Sequence, residues 1–88
     1  MTFRVLLSET AVRQLRKLPP DVRKRIAKGL RVLEEDPFRA RPRADVRILE
    51  RTEPRKFRIR VGDYRAVYWV AGEEVKVIEV FVRGRGYR

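Results

Sequence analysis

The stretch KFRIRVGDYR, residues 56–65, decides how the second half of the chain is organised. Phe57, Ile59 and Val61 alternate with Arg58 and Arg60, the period of a strand with one buried face. Gly62-Asp63 then supplies a two-residue turn, with glycine first as the II′ type prefers, and the alternation resumes at Tyr64. A two-residue loop fixes the pairing by counting: Val61 faces Tyr64, Arg60 faces Arg65, Ile59 faces Ala66, and Arg58 faces Val67. Directly opposed residues share a face, so Arg58, Arg60 and Arg65 are expected in one cluster. Like charges opposed across a sheet destabilise it. Such a cluster needs either neutralising carboxylates, for which Glu50, Glu53 and Glu79 are candidates, or an anion that planar guanidiniums grip in pairs. A slip of one residue in register would carry all the arginines to the opposite face.

Strand-like runs surround this hairpin. They are DVRILE (45–50), YRAVYWV (64–70) and EVKVIEVFV (74–82), the last two joined by a turn at Ala71-Gly72-Glu73. Upstream, FRVLL (3–7) reads as a short strand, and Ser8 or Thr10 can cap a helix running through 17. Ala11, Leu15 and Leu18 would share its buried face. Pro19-Pro20 stops that helix and opens another, where Val22, Ile26, Leu30 and Leu33 form an apolar stripe up to Asp36-Pro37. Residues 37–44, with two prolines and three arginines, read as a loop or edge with little to bury. The order β-α-α-β-β-β-β predicts one α+β domain over 1–88, with a mostly antiparallel sheet and a helical hairpin on one face.

Net charge narrows the partner. The chain has 88 residues, with 23 Lys+Arg against 12 Asp+Glu and a net charge of +11. That length allows one thin core and little room for an enclosed substrate cavity. Self-repulsion on this scale suits a polyanion ligand, nucleic acid first, although acidic proteins and thermal stability are competing explanations. Arg23, Lys24, Arg25, Lys28 and Arg31 lie along the polar side of the second helix, as a solvated face or a docking surface without base readout. In the segment RGRGYR (83–88), Arg83, Arg85 and Tyr87 share a parity if extended; a frayed basic tail is the plainer reading.

Several chemistries are excluded by composition. The chain has no cysteine and no histidine, which removes thiolate chemistry, sulfur-held zinc and the commonest general base. The only serine, Ser8, has no histidine to activate it. The acidic runs Glu34-Glu35-Asp36 and Glu73-Glu74 fall at a helix end and a turn, and no spaced set for Mg²⁺ is visible, so no metal or cofactor is expected. The apolar run VIEVFV (77–82) is interrupted by Glu79 and far short of the ~20 residues a membrane span needs. Nor do the first residues read as a signal segment, so a cytoplasmic location is expected. What remains is Arg, Lys and Tyr. These can stabilise the charge of a phosphoryl transition state while an oriented RNA supplies its own 2′-hydroxyl as nucleophile. A tyrosine among guanidiniums has its phenolate favoured, so Tyr87 could act as base.

These residues resemble the RelE/ParE toxin superfamily of toxin–antitoxin systems, archaeal RelE-like members in particular. The resemblance rests on the helix A-x-x-x-L-x-K-L (Ala11, Leu15, Lys17, Leu18), the ending L-x-x-D-P (Leu33, Asp36, Pro37), F-R-I-R-V-G-D-Y-R-A-V-Y (57–68) and R-G-R-G-Y (83–87). It implies a ribosome-dependent endoribonuclease that cleaves mRNA in the A site and is neutralised by a cognate acidic antitoxin in a hetero-oligomer. By motif position, Arg58 and Arg60 would orient and activate the 2′-hydroxyl, and Arg65 would stabilise the transition state. Arg83, with Arg85 as alternative, matches the family's C-terminal arginine, and Tyr87 its base-like, stacking tyrosine. Arg55, Lys56 and Arg85 are read as RNA-binding. The chain departs from the family's lysine pair by carrying arginines, which cannot shed a proton; any base role then falls to Tyr87. Two rival readings are a ParE-like toxin that inhibits DNA gyrase by binding, and a nucleic-acid-binding module without catalysis.

Overall fold

Ser8 turns the chain from strand into helix and ties both to the far end of the sequence. In the computed structural model, which describes residues 2–49 and 53–82, strand β1 is Arg4–Leu7 and helix α1 is Glu9–Arg16. Ser8 lies between them with extended backbone, and its Oγ accepts from the Ala11 N–H at 3.0 Å, capping α1. The same Oγ donates to the Ile78 carbonyl at 2.6 Å, and the Ser8 N–H donates to the Val77 carbonyl at 2.9 Å. One helical turn on, Gln14 Oε1 accepts from the Val80 N–H at 2.6 Å. Helix α1 thus satisfies backbone groups of the last strand beyond the point where β1 stops pairing with it.

Helix α2 spans Pro20–Arg31, with its prolines at the start, and continues as a 3₁₀ turn over Val32–Glu34. The remaining strands are β2 (Asp45–Leu49), β3 (Lys56–Val61), β4 (Tyr64–Ala71) and β5 (Glu74–Val82). They form one five-stranded sheet in the order β1-β5-β4-β3-β2. Strand β1 runs parallel to β5, and the other neighbours are antiparallel. The fold is the expected α+β arrangement. Across the Gly62-Asp63 turn the register agrees with the counting at every position named, from Val61 opposite Tyr64 to Arg58 opposite Val67. Gly62 has φ +59°, a left-handed backbone that glycine adopts without steric cost.

Both helices cover the face that carries Phe57, Ile59, Ala66, Tyr68, Val75, Val77 and Val80. Ala11 and Leu15 of α1 and Ile26, Leu30 and Leu33 of the second helical segment fill that layer, as their spacing predicts. Burying each of the larger side chains stabilises the fold by about 1.5–3 kcal/mol. At Gly29 helix α2 approaches the sheet closely. A Cβ there would fall 2.6 Å from Val61 Cγ2 and 2.9 Å from its Cγ1. Valine is stiff about χ1 and cannot swing aside cheaply. Gly29→Ala gains about 1 kcal/mol of helix propensity but overpacks at about 1–3 kcal/mol, so chemical denaturation should show a net loss. The same substitution in a Val61→Ala background should show no such loss.

The segment 37–44 is not the loosely held loop that its composition suggests. Pro37 and Ala44 are fully buried. Arg41 folds back on the end of the helical segment: Nη2 donates to the Val32 carbonyl at 2.7 Å, and Nη1 donates to the Asp36 and Arg39 carbonyls at 2.9 and 2.8 Å. A guanidinium used this way is a C-terminal cap, which periodicity cannot reveal. The Phe38 N–H donates to the Asp36 carboxylate at 2.8 Å and holds its pKa below the ordinary value. Phe38 itself packs edge-on against Phe3 and Phe57, and Phe57 stacks on Tyr68.

The buried Tyr68 hydroxyl donates to the Pro37 carbonyl at 2.6 Å, fastening this segment to the centre of the sheet. Burial pushes the Tyr68 phenol well above its ordinary pKa. The neutral form is therefore favoured on folding; that stabilisation is complete below pH ~10 and is lost as pH climbs above it. Tyr68→Phe should cost about 1–3 kcal/mol at neutral pH, because the Pro37 carbonyl is left buried without a donor. The variant should also show a flatter loss of stability in alkaline titration.

A candidate anion site on the open face of the sheet

The face away from the helices carries the charge. Alternation on β3 places Lys56, Arg58 and Arg60 there, and on β4 it places Arg65, Val67 and Trp69. Arg60 stands directly opposite Arg65. The β2 register adds Asp45, opposite Arg60, and Arg47, opposite Arg58. Four arginines thus converge at the end of the sheet near the Gly62-Asp63 turn, with Asp45 among them.

Arg58 is the most enclosed of the group, its side chain only 11% exposed. Desolvation lowers its pKa below the ordinary arginine value; Asp45 opposes that shift, while Arg65, Arg47 and Arg60 reinforce it. Asp45 Oδ1 lies 3.8 Å from Arg58 Nη1 and Oδ2 lies 3.8 Å from Arg60 Nε, attractive separations but longer than hydrogen bonds. Among the described residues, Arg58 Nη1 and Arg65 Nε are buried and find no acceptor. Leaving a buried donor unmade costs about 1–3 kcal/mol, and more for a charged group. Two such donors, fixed on adjacent strands, suit an oxyanion that brings several lone pairs and a full negative charge.

At the opposite end of the same face the cations are spread out and partly paired. Lys76 Nζ sits 5.3 Å from the Trp69 ring centroid and 3.9 Å from Glu74, which also pairs with Arg4 at 2.8 Å. The mutually opposed guanidiniums are therefore at the turn end, while Arg4, Lys76 and Lys56 share the other end with Glu74.

Arg58, Arg60 and Arg65 are brought together as expected from the hairpin. Lys56 lies on the same face but opposite Leu49, at the far end of β3, and Arg55 is exposed beside it, lining a shallow hollow with Phe38, Pro54 and Trp69. Arg83, Arg85 and Tyr87 fall outside the described residues; β5 ends at Val82, opposite Tyr64, at the arginine end of the sheet. Among the described residues, the carboxylate within ion-pair distance of the cluster is Asp45, which had not been singled out among the acids. Glu79 instead stands across from Val67, and Glu50 is outside the described residues. Arg47 was likewise missed. The alternation of DVRILE carried the signal, but without a two-residue turn before β3 there was nothing to count from.

A helical hairpin on one face of a mixed five-stranded sheet is the RelE-like α+β architecture. The chain belongs to the RelE/ParE superfamily: residues 5–87 match the model of the ParE toxin of type II toxin–antitoxin systems. Among solved structures it is similar to the archaeal RelE–RelB complex from Pyrococcus horikoshii OT3, with 34% identity over 98% of this chain and 100% of that one and a TM-score of 0.80. It is also similar to the RelBE2 toxin–antitoxin complex from Mycobacterium tuberculosis, with 27% identity, 94% and 100% coverage and a TM-score of 0.76. The intact E. coli RelBE complex matches at 27% identity, 93% and 96% coverage and a TM-score of 0.61. No curated protein sequence matches the chain. Among the described residues no helix is long and apolar enough to cross a membrane.

Proposed function

We propose that this toxin is a ribosome-dependent mRNA endoribonuclease, acting in the cytoplasm and neutralised by an acidic antitoxin. The observation that carries the reading is the pair of buried, unacceptored guanidinium donors, Arg58 Nη1 and Arg65 Nε, on one open face with Arg60. In this reading the scissile phosphate occupies the arginine end of the sheet. The 2′-oxygen of the preceding ribose attacks phosphorus and the P–O5′ bond breaks. The 2′-hydroxyl proton passes to the Tyr87 phenolate, and the departing 5′-oxygen takes a proton from water. Arg58 and Arg60 orient the reacting ribose-phosphate, Arg65 stabilises the added charge at phosphorus, and Arg83 or Arg85 completes the cage. Lys56, Arg55 and the remaining tail arginine hold flanking phosphates. No step calls for a metal or a cofactor. Arginine is a poor proton carrier at neutral pH, so the ribosome supplies substrate alignment, which alone can account for several orders of magnitude in rate.

The antitoxin assignment is supported by relatives of known structure that are toxin–antitoxin complexes, and by the net charge of +11. An acidic segment would associate quickly with such a surface and more slowly as salt rises. Purified full-length toxin added to translating ribosomes should cut mRNA in the A site and leave 2′,3′-cyclic phosphate ends. One finding favours a second reading: the matching family description is that of ParE. In that case mRNA stays whole and gyrase supercoiling stops.

A further inference from the structure

Asp45 is out of place in a site built to take an anion. It enters the arginine cluster from β2, opposite Arg60, and its two carboxylate oxygens reach toward two different guanidiniums at the same separation of 3.8 Å. Neither contact closes to a hydrogen bond, and among the described residues Arg58 Nη1 finds no acceptor even though Asp45 is the carboxylate within ion-pair distance of it. Its side chain is 46% exposed, so it can turn outward into water with little rearrangement. A structural ion pair would be shorter and satisfied. A carboxylate spanning two guanidiniums at long range has instead the reach and charge of a bound phosphate, but not its full set of contacts.

We infer that Asp45 is a built-in stand-in for the substrate phosphate, a carboxylate that occupies the arginine clamp in the free toxin and is displaced when a phosphate binds. Resting on the reading of this face as the RNA site, the inference assigns Asp45 the role of setting how readily the clamp accepts an anion. Between RNA encounters it relieves the mutual repulsion of Arg47, Arg58, Arg60 and Arg65. It also sets a threshold: a single weakly held anion competes poorly with the resident carboxylate. A phosphodiester delivered in the correct geometry, with hydrogen bonds to Arg58 Nη1 and Arg65 Nε, displaces it. Asp45 is a specificity-determining residue here, with no part in proton transfer.

Two substitutions move the clamp in opposite directions. Asp45→Asn removes the competing charge and should tighten binding of both inorganic phosphate and a labelled single-stranded RNA about tenfold, a shift expected from one charge near the site. The slope of log affinity against log salt should steepen by about one. Asp45→Glu, one methylene longer, should reach hydrogen-bond distance and weaken both ligands. Inorganic phosphate is followed by its effect on melting temperature, and RNA by fluorescence anisotropy, each with full-length protein. Unchanged or weaker binding in Asp45→Asn would overturn the inference. So would loss of cleavage at unchanged affinity, which would place Asp45 in the chemistry. If the asparagine variant does not fold, the glutamate variant decides, and unchanged or tighter binding counts against the idea. Phosphate binding that responds as expected in a protein that cuts no mRNA would sink the ribonuclease reading and leave the clamp. Normal cleavage with no response at position 45 would do the reverse.

Discussion

Arg65→Ala should lower ribosome-dependent mRNA cleavage by about two to three orders of magnitude, the loss typical of removing one preorganised donor from a charge-stabilising site. The fold should survive. Arg65 is opposed by Arg60 across the hairpin, so its removal relieves a repulsive pair rather than breaking an attractive one. Primer extension on ribosome-bound mRNA reports the cut, and thermal melting reports the fold. Cleavage near the wild-type rate in a well-folded Arg65→Ala protein would remove the central assignment of the proposed mechanism. A gyrase inhibitor would behave differently, since binding spread over a surface does not hinge on one transition-state contact.

Arg58→Met is the second large effect, and it has two opposite signs. Arg58 is nearly enclosed, its charge is disfavoured by desolvation, three arginines reinforce that penalty, and one of its donors has no acceptor among the described residues. Replacing a whole buried ion pair by apolar side chains is often neutral or stabilising by about 1–4 kcal/mol, and Arg58→Met approaches that case because the half-exposed Asp45 keeps Arg60 as partner. In a domain of this size each kcal/mol moves the melting temperature by about 4–8 °C. The variant should therefore melt higher than wild type and yet fail to cleave mRNA. A protein that becomes steadier as its site is dismantled is one whose site is held together against local electrostatics. If Arg58→Met melts markedly lower instead, Arg58 is a structural residue whose pairing with Asp45 outweighs its desolvation.

The hairpin was readable because its turn left no freedom. Two residues at Gly62-Asp63 converted sequence spacing directly into cross-strand pairs, and the opposition of Arg60 and Arg65 followed from counting alone. The helices were readable from Ile26, Leu30 and Leu33, whose spacing matches one helical face. Asp45 and Arg47 were not, because the connection between β2 and β3 is too long to set a register by its length. Arg41 was misread for a related reason. Its partners are carbonyls of Val32, Asp36 and Arg39, and a side chain that caps backbone leaves no periodic trace. The strand order β1-β5-β4-β3-β2 also exceeds what local patterns carry, since placing β1 beside β5 depends on tertiary packing.

That strand order has a consequence in the order of synthesis. Strand β5 lies between β1 and β4, and Ser8 holds it by two hydrogen bonds from seventy residues upstream. Until β5 has been made, β1 has no neighbour, Ser8 and Gln14 lack their partners in it, and β2–β4 form an open meander with two of the five strands missing from the sheet. Pairings across so long a stretch of chain form late, because the loop they close is entropically expensive. A partly translated chain therefore carries all of Arg58, Arg60 and Arg65 without a rigid surface to hold them. The interlock of β1 with β5 makes the aligned arginine surface a property of the finished sheet: a truncated product carries the arginines without the frame that orders them.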